Sequence, residues 1–267
     1  MVNLNTEPLE HLVEITEKKH YQTDAQRLSV TKVLIVIPTY NEVKNLPLLL
    51  QQIFTYTPQI HVLIVDDNSP DGTGQLAETL KLQYPCLHVI HRPGKQGLGT
   101  AYIAGFKYAL EHTYDAVFEM DADFSHDPRY LPDFLHAIQQ ADLVIGSRYI
   151  PGGRTPDWSF RRRLVSGCGN IFARVLLGVP VHDCTGGYRC YRREILTRIN
   201  VDTVQSYGYA FQVELAHRVQ QQKGEIVEIP ITFMDRQLGQ SKMSRQIVLE
   251  AFIYVLRARF RKQSSTK

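Results

Sequence analysis

Cysteine is scarce in this 267-residue sequence: Cys86, Cys168, Cys184 and Cys190 are the four present, and none makes a CxxC pair. That spacing suggests no disulfide framework. With no secretory signal at the N-terminus either, the four read as reduced thiols of a cytosolic protein. Long apolar runs are also missing. The best candidate, Ile247 to Leu256, spans ten residues and is interrupted by Glu250, well short of the roughly eighteen that a membrane span requires. The expectation is a chain that does not cross a bilayer by itself. There is no internal repeat and no low-complexity tract. A net charge of +3 is too modest to argue for nucleic acid, and RNA-binding signatures are absent.

A hydrophobic content of 43% and a charged content of 21% are those of a folded globular protein, and the length suits one α/β domain. Charge is unevenly spread. Residues 1–30 carry five acids against three Lys/Arg, whereas residues 257–267 carry five Lys/Arg and no acid. Residues 1–30, weakly patterned apart from Glu10, Glu14 and Lys18 at helical spacing, read as a frayed extension, 31–245 as the folded domain and 246–267 as a basic tail. Gln246 to Lys262 reads as a helix whose apolar run ends in Arg257, Arg259, Arg261 and Lys262. It can lie in a membrane interface with cations at the headgroups, or pack on the domain's own surface.

The apolar run Val33–Ile37 ends at Pro38, and His61–Val65 ends in Asp66-Asp67-Asn68-Ser69-Pro70-Asp71-Gly72. Each reads as a parallel strand buried on both faces. Asn45-Leu46-Pro47 reads as a helix start with Asn at the cap, and a second helix runs from Gly72 to about Leu82. Leu87–Ile90, Ala116–Phe118 and Asp142–Gly146 supply three further strands, with a helix over about Thr100–Glu111. Tyr207–Val219 reads as helix and Gly224–Phe233 as strand. Strand and helix in this rhythm predict a doubly wound, mainly parallel α/β sheet.

The stretch Glu119–Pro128 organises the rest. It leaves a short strand and places Asp121 and Asp123 at its carboxyl end, where open α/β sheets collect ligands. Two carboxylates there suit Mg²⁺ or Mn²⁺, which take one or two carboxylates and leave other positions to water and substrate phosphates. Three strands end in acidic or polar loops on this edge: Pro38–Glu42, Asp66–Asp71 and Asp121–Asp123. A nucleotide laid across them can meet Tyr40 as a base platform and Glu42 or Asp67 as acceptors for base or ribose. A metal on Asp123 would neutralise its diphosphate. Gly94-Lys95-Gln96-Gly97-Leu98-Gly99 is not GxGxxG and follows the third strand, so a dinucleotide fold is rejected; close backbone approach or a phosphate-facing helix start fits better. Residues 146–163 hold Arg148, Arg154, Arg161, Arg162 and Arg163 against one acid, Asp157, and read as a glycine-containing, anion-binding lid. A further turn at His182–Arg189 precedes a helix from Arg192. Arg236 and Lys242 form a late cationic pair suited to a diphosphate.

With PTYNE (38–42), VDDNSPDGT (65–73), GLGTAY (97–102), MDADFSH (120–126), GSRY (146–149), WSFRRRLVSGCGN (158–170), CTGGYRCYRRE (184–194) and FMDRQLGQSK (233–242), the chain resembles the dolichyl-phosphate (polyprenyl-phosphate) mannosyltransferase branch of the family-2, GT-A-fold glycosyltransferases. The likeness runs from about Val33 to Arg257. It implies that Pro38, Tyr40, Glu42, Val65 and Asp67 hold the guanosine of GDP-mannose. Asp121, Ala122 and Asp123 would bind sugar and diphosphate, with Asp123 the chief ligand of Mg²⁺ or Mn²⁺. Arg148, Arg236 and Lys242 would bracket the phosphates, and Arg162 and Ser166, with Arg148, would receive the phosphate of a dolichyl or polyprenyl acceptor. Some relatives carry Gln where this chain has Ser125. Many append transmembrane helices; short members without them use separate membrane subunits, so a peripheral enzyme on the cytoplasmic face, with a small membrane subunit as a candidate partner, is the expectation. Competing readings are glucosyl or aminosugar transfer from a UDP-sugar, a non-catalytic membrane-docking subunit, and a nucleotidyltransferase.

Overall fold

The structure is a computed structural model, and it describes residues 29–204, 206, 208–235 and 252–259. The N-terminal extension, most of the basic tail, Arg236 and Lys242 lie outside the described residues.

The apolar run after Lys32 forms strand β1 (Val33–Thr39). Its side chains alternate between two cores: Leu34 and Val36 enter one, and Val33, Ile35 and Ile37 the other. A strand buried on both faces needs cover on both. β1 pairs in parallel with β2 (His61–Asp66) on one side and β4 (Ala116–Glu119) on the other, and β2 pairs in parallel with β3 (Leu87–His91). α1 (Leu46–Tyr56), α2 (Thr73–Leu80) and later α4 (Leu131–Ala137) cover the second core. α3 (Leu98–Glu111), α5 (Phe160–Leu177), α6 (Arg193–Ile199) and α7 (Gly208–Gln221) cover the first. With β5 (Leu143–Ser147), β6 (Arg189–Arg192) and β7 (Ile226–Pro230), the seven-stranded sheet runs β3-β2-β1-β4-β6-β5-β7. β6 is antiparallel to both neighbours and the other pairings are parallel, as an α/β, mainly parallel sheet requires. The order reverses at β1, whose partners lie on opposite sides, so a crevice opens at the carboxyl ends of β1 and β4. Gly105 brings α3 onto β1: a Cβ there would fall inside the Val36 side chain.

Three local expectations are corrected and one is refined. Residues 189–192, expected as turn leading to a helix, form β6; the buried Arg189 donates to the carbonyls of Cys184, Gly186 and Gln212, and Arg192 to those of Ile138, Gln139 and Ala141. Carbonyl acceptors let two guanidiniums sit inside a sheet that their charge would otherwise disrupt. The basic segment is not loop through 163, because α5 begins at Phe160 with the Ser159 hydroxyl accepting from the Arg162 amide, and ends at Gly178 with φ 67°. Asn45 stands at the N-cap of α1 with proline in the first turn, as expected, but its side chain makes no cap hydrogen bond; its side-chain amide donates to Glu42 Oε2 at 2.7 Å. β7 is shorter than the 224–233 expected. Within the tail, residues 252–259 are helical and pack on the domain: Val255 is buried in the first core and Phe252 stacks on Phe172 at 4.7 Å.

Candidate active site

The loops after β1 and β2 are tied together beneath the crevice. The buried Asp66 carboxylate accepts from Thr39 Oγ1 at 2.9 Å and from Ser69 Oγ at 2.5 Å, and the Ser69 hydroxyl accepts from the Asn41 amide. The Glu42 amide donates to Thr73 Oγ1 at 2.9 Å. Each loop that follows β1, β2 or β4 contains a non-glycine residue in the left-handed region: Asn41 at φ 62°, Asn68 at 56° and Phe124 at 63°. Asn tolerates this conformation, whereas a bulky Phe is strained by about 1–2 kcal/mol. Such strain gathers where a loop is held for a purpose.

Pro38, Tyr40, Glu42, Val65 and Asp67 all lie at the carboxyl ends of β1 and β2 or in the loops that follow. Pro38 and Val65 are register partners in the sheet; Val65 is wholly buried in the first core and offers no side chain to a ligand. Lys95 lies over the Tyr40 ring, 4.7 Å from its centroid. Glu42 and Asp67 are nearly buried. Arg92 Nε donates to Asp67 Oδ1 at 2.5 Å, and its NH1 donates to Thr100 Oγ1. Arg92 therefore fixes the carboxylate expected to meet the nucleoside.

The loop after β4 carries Asp121, Ala122 and Asp123. The hydroxyl of Tyr102, on α3, donates to Asp121 Oδ1 at 2.8 Å, and the Asp121 amide donates to His126 Nδ1 at 2.9 Å. His126 is fully buried and stacked on Tyr188 at 4.9 Å. Burial pushes its imidazole down, although Asp121 and Asp123 pull it up. Neutral, with Nδ1 accepting, the ring carries its proton on Nε2. Asp123 Oδ1 accepts from the Ser125 amide at 3.1 Å, closing the turn through Phe124. Ser125 Oγ is buried and has no partner among the described residues. Beneath the loop, the wholly buried Glu119 accepts from Gln212 Nε2 at 2.6 Å, and burial pushes its carboxyl up to about 8 against the pull of Arg189.

A divalent cation fits this donor set. No group of three or more His, Cys, Asp or Glu side chains that could hold a metal occurs among the described residues. Asp121 Oδ2, the Asp123 carboxylate and the unpartnered Ser125 hydroxyl offer a few hard oxygens instead. That suits Mg²⁺ or Mn²⁺ shared with substrate phosphates, rather than a protein cage.

The arginine-rich side abuts the aspartate loop through His126 and Phe233, whose ring centroids lie 6.0 Å apart. The charges of Asp121, Asp123 and Arg148 all act on His126. Arg148, however, is buried and committed: Nε and NH2 donate to the two oxygens of Asp183, each at 2.7 Å, and NH2 also donates to Thr185 Oγ1. Burial would raise Asp183, but the adjoining guanidinium holds its carboxyl below the usual range. Arg148 also packs over Trp158 at 5.1 Å and over Phe233 at 5.4 Å. Phe233 meets His126 at 6.0 Å and Trp158 at 5.7 Å, so an aromatic wall runs from the aspartate loop to the basic segment. At its far end Arg162 lies over Trp158 at 4.1 Å and donates through NH1 to both oxygens of Asp235 at 2.7 Å, and Trp158 Nε1 donates to the same carboxylate. Arg162 Nε is buried without a partner among the described residues. Arg162 and Ser166 border a cavity of about 710 Å³ whose walls include Val165, Phe172, Val213, Phe252 and Val255.

A chain of contacts thus links the β4 loop to the basic segment, from Asp121 through His126, Phe233 and Trp158 to Arg148 and Arg162. Sequence reasoning missed Tyr102, Arg92, His126, Asp183 and Asp235 as site-building residues. Tyr102 and His126 lie inside quoted motifs, but their roles depend on partners that only the fold brings near.

Residues 34–199 match the family described as "Glycosyl transferase family 2". The chain is 50% identical over 226 residues to the undecaprenyl-phosphate mannosyltransferase of Micrococcus luteus, covering 85% of this chain and 93% of that protein. It is also 50% identical over 226 residues to the polyprenol monophosphomannose synthase of Mycolicibacterium smegmatis, covering 84% and 85%. Among solved structures, the fold is similar to that of the mannosyltransferase PcManGT from Pyrobaculum calidifontis in complex with GDP-Man and Mn2+. The TM-score is 0.55 at 16% identity, over 92% of this chain and 71% of that one. S. aureus TarS 1-349 in complex with UDP-GlcNAc gives 0.57 at 16% identity, over 85% and 66%.

Proposed function

As the chain belongs to glycosyl transferase family 2, we propose that it moves mannose from GDP-mannose to a polyprenyl or dolichyl phosphate, releasing GDP. The observation that carries this reading is the pairing of opposites along one aromatic wall: hard carboxylate oxygens at the β4 lip at one end, and an arginine lining an apolar cavity at the other. The first suits a sugar diphosphate with a divalent cation. The second suits a lipid whose head is anionic and whose tail is apolar. Half identity with two enzymes named for mannosyl transfer to polyprenyl lipids supports the same assignment.

The reaction joins an acceptor phosphate oxygen to the anomeric carbon as the bond to the β-phosphate of GDP breaks and its electron pair leaves with GDP; the configuration inverts from α to β. A phosphate monoester is already anionic at neutral pH, so no side chain has to remove a proton. The chain's residues position two anions in line. Tyr40, Glu42 and Asp67 hold the guanosine, and Asp121, Ala122 and Asp123 face sugar and diphosphate. Arg162 and Ser166 take the acceptor phosphate; the role at the leaving diphosphate expected of Arg236 and Lys242 falls outside the described residues. Asp121 and Asp123 would hold Mg²⁺ or Mn²⁺, which when bound would supply positive charge at the departing phosphate. The buried Arg148, already shared with Asp183, adds positive potential and braces the aromatic wall.

Membrane attachment follows from α5. Phe160, Leu164, Ile171 and Val175, spaced 0, 4, 11 and 15 along the helix, are 56–79% exposed, and Arg161, Arg163 and Arg174 flank them. Such a stripe fits the interface of an anionic bilayer, in this reading the cytoplasmic leaflet. No helix among the described residues is long and apolar enough to cross a membrane. The stripe also offers a surface to a small membrane subunit, and vesicle binding by the isolated chain separates these partners.

A panel of GDP-mannose, UDP-glucose and UDP-N-acetylglucosamine, each radiolabelled in the sugar and incubated with undecaprenyl phosphate and Mn²⁺, tests the donor. Label from GDP-mannose alone is expected in the organic phase. Label from a UDP-sugar instead, or none at all, overturns the reading.

A further inference from the structure

We propose that Tyr102 is a positioning residue for the donor site: its hydroxyl orients the Asp121 carboxylate so that the second oxygen faces the divalent cation and the sugar diphosphate. The second half of this inference rests on the reading of the site as a metal-assisted donor pocket. The first rests on geometry alone.

Tyr102 projects from the second turn of α3 and is wholly buried. Its ring stacks with Phe211 of α7 at 6.3 Å and with Phe106 at 6.5 Å. Phe211 in turn lies so close to Gly99 that a Cβ there would stand 3.0 Å from its ring. α3, α7 and the glycine between them therefore hold the phenol rigidly. Phenylalanine would fill the same apolar space without a hydroxyl. A buried hydroxyl costs free energy unless it finds a partner, and among the described residues this one's partner is Asp121 Oδ1 at 2.8 Å.

That bond acts on a side chain otherwise free to turn, since the terminal torsion of aspartate is broad. The main chain of Asp121 is separately fixed by His126 Nδ1, leaving the carboxylate plane as the unset coordinate. The phenol sets it. Oδ1 is occupied from within the fold, and Oδ2 accepts no hydrogen bond from the described residues. Groups behind a metal ligand that fix its orientation typically contribute about 10–100-fold to metal affinity or activity.

The test uses the full chain with Tyr102→Phe, Asp121→Ala and the double variant. Mn²⁺ binding in the presence of GDP is read by electron paramagnetic resonance, melting by circular dichroism, and mannosyl transfer by label. Tyr102→Phe is expected to weaken Mn²⁺ binding about tenfold or more and to lower kcat about 10–100-fold, with the KM for GDP-mannose moving less than kcat. In the Asp121→Ala background the same change is expected to alter Mn²⁺ binding by less than about twofold, because the carboxylate it orients is gone. Asp121→Ala strands the hydroxyl, so the double variant should melt higher than the sum of the single changes gives. Wild-type Mn²⁺ affinity in Tyr102→Phe, or an equal loss with and without Asp121, overturns the proposal. Should Tyr102→Phe fold poorly, the melting temperatures of Asp121→Ala and the double variant still decide: additive changes refute the coupling. A protein that binds Mn²⁺ with this coupling yet transfers no mannose would fail the functional reading while leaving the positioning role intact.

Discussion

Replacing Asp183 by asparagine removes the charge that Arg148 has been folded around. The carboxylate is wholly buried and accepts from Arg148 N, Nε and NH2 and from the amides of Thr185 and Gly186. Asparagine has the same shape but replaces one carboxylate oxygen with an NH2 group that can only donate, so a guanidinium of 7% exposure is left uncompensated. Breaking one side of a buried pair costs about 3–5 kcal/mol. At about 2–4 °C per kcal/mol for a chain of this size, Asp183→Asn should melt about 6–20 °C lower. Arg148→Met should lose a comparable amount by stranding the carboxylate. Arg148→Met combined with Asp183→Leu should recover part of it, because an apolar pair of similar volume often matches a buried ion pair. The pH dependence has a fixed sign. Asp183's folded-state pKa is depressed, so its contribution is present above the unfolded value near 4 and is lost as pH falls through the folded value. The gap between wild type and Asp183→Asn should thus be full at neutral pH and narrow in acid. Thermal unfolding from pH 3 to 7 reads both. A variant melting within about 2 °C of wild type at pH 7 would refute the structural role of the pair and return Arg148 to the phosphate-binding role expected from sequence.

Asp123→Ala should reduce transfer below detection and weaken Mn²⁺ binding measured with GDP; intact turnover would remove the metal from the account. Arg162→Ala should raise the KM for the lipid phosphate more than that for GDP-mannose. Asp235→Asn, which loosens the grip on Arg162 and Trp158, should also act on the acceptor side; a change confined to the donor KM would contradict the placement of this cluster. Leu164→Glu with Ile171→Glu, both on the exposed stripe, should cut binding to vesicles of anionic phospholipid at least about tenfold while leaving melting unchanged. Unaltered sedimentation with vesicles would rule out the α5 face.

The parallel half of the sheet was legible because Val33–Ile37 and His61–Val65 are unbroken apolar runs closed by turn residues, and such runs admit few other placements. The three acidic loops followed from where those strands end. β6 was hidden because Arg189-Cys190-Tyr191-Arg192 has no strand-like surface pattern; its arginines are buried against carbonyls contributed by α7 and by the segment before β5. α5 was hidden by its opening run of arginines, which reads as a basic loop; the helix is held by Arg162 on Asp235 and by Asn170 on the Thr185 hydroxyl. The arginines near the site were visible, but not which are free: Asp183 lies 35 residues beyond Arg148 and Asp235 73 beyond Arg162. Tyr102 shows the same limit, since only the packing of α3 against β4 brings its hydroxyl to Asp121.

The central claim is that the acceptor's own charge replaces a proton-abstracting side chain. Its most direct test is to incubate the protein, Mn²⁺ and GDP-[14C]mannose with undecaprenyl phosphate and, in parallel, with undecaprenol at equal concentration. The account predicts organic-phase label and equimolar GDP with the phosphate, and background with the alcohol. Comparable label on the alcohol, or none on the phosphate, would contradict it.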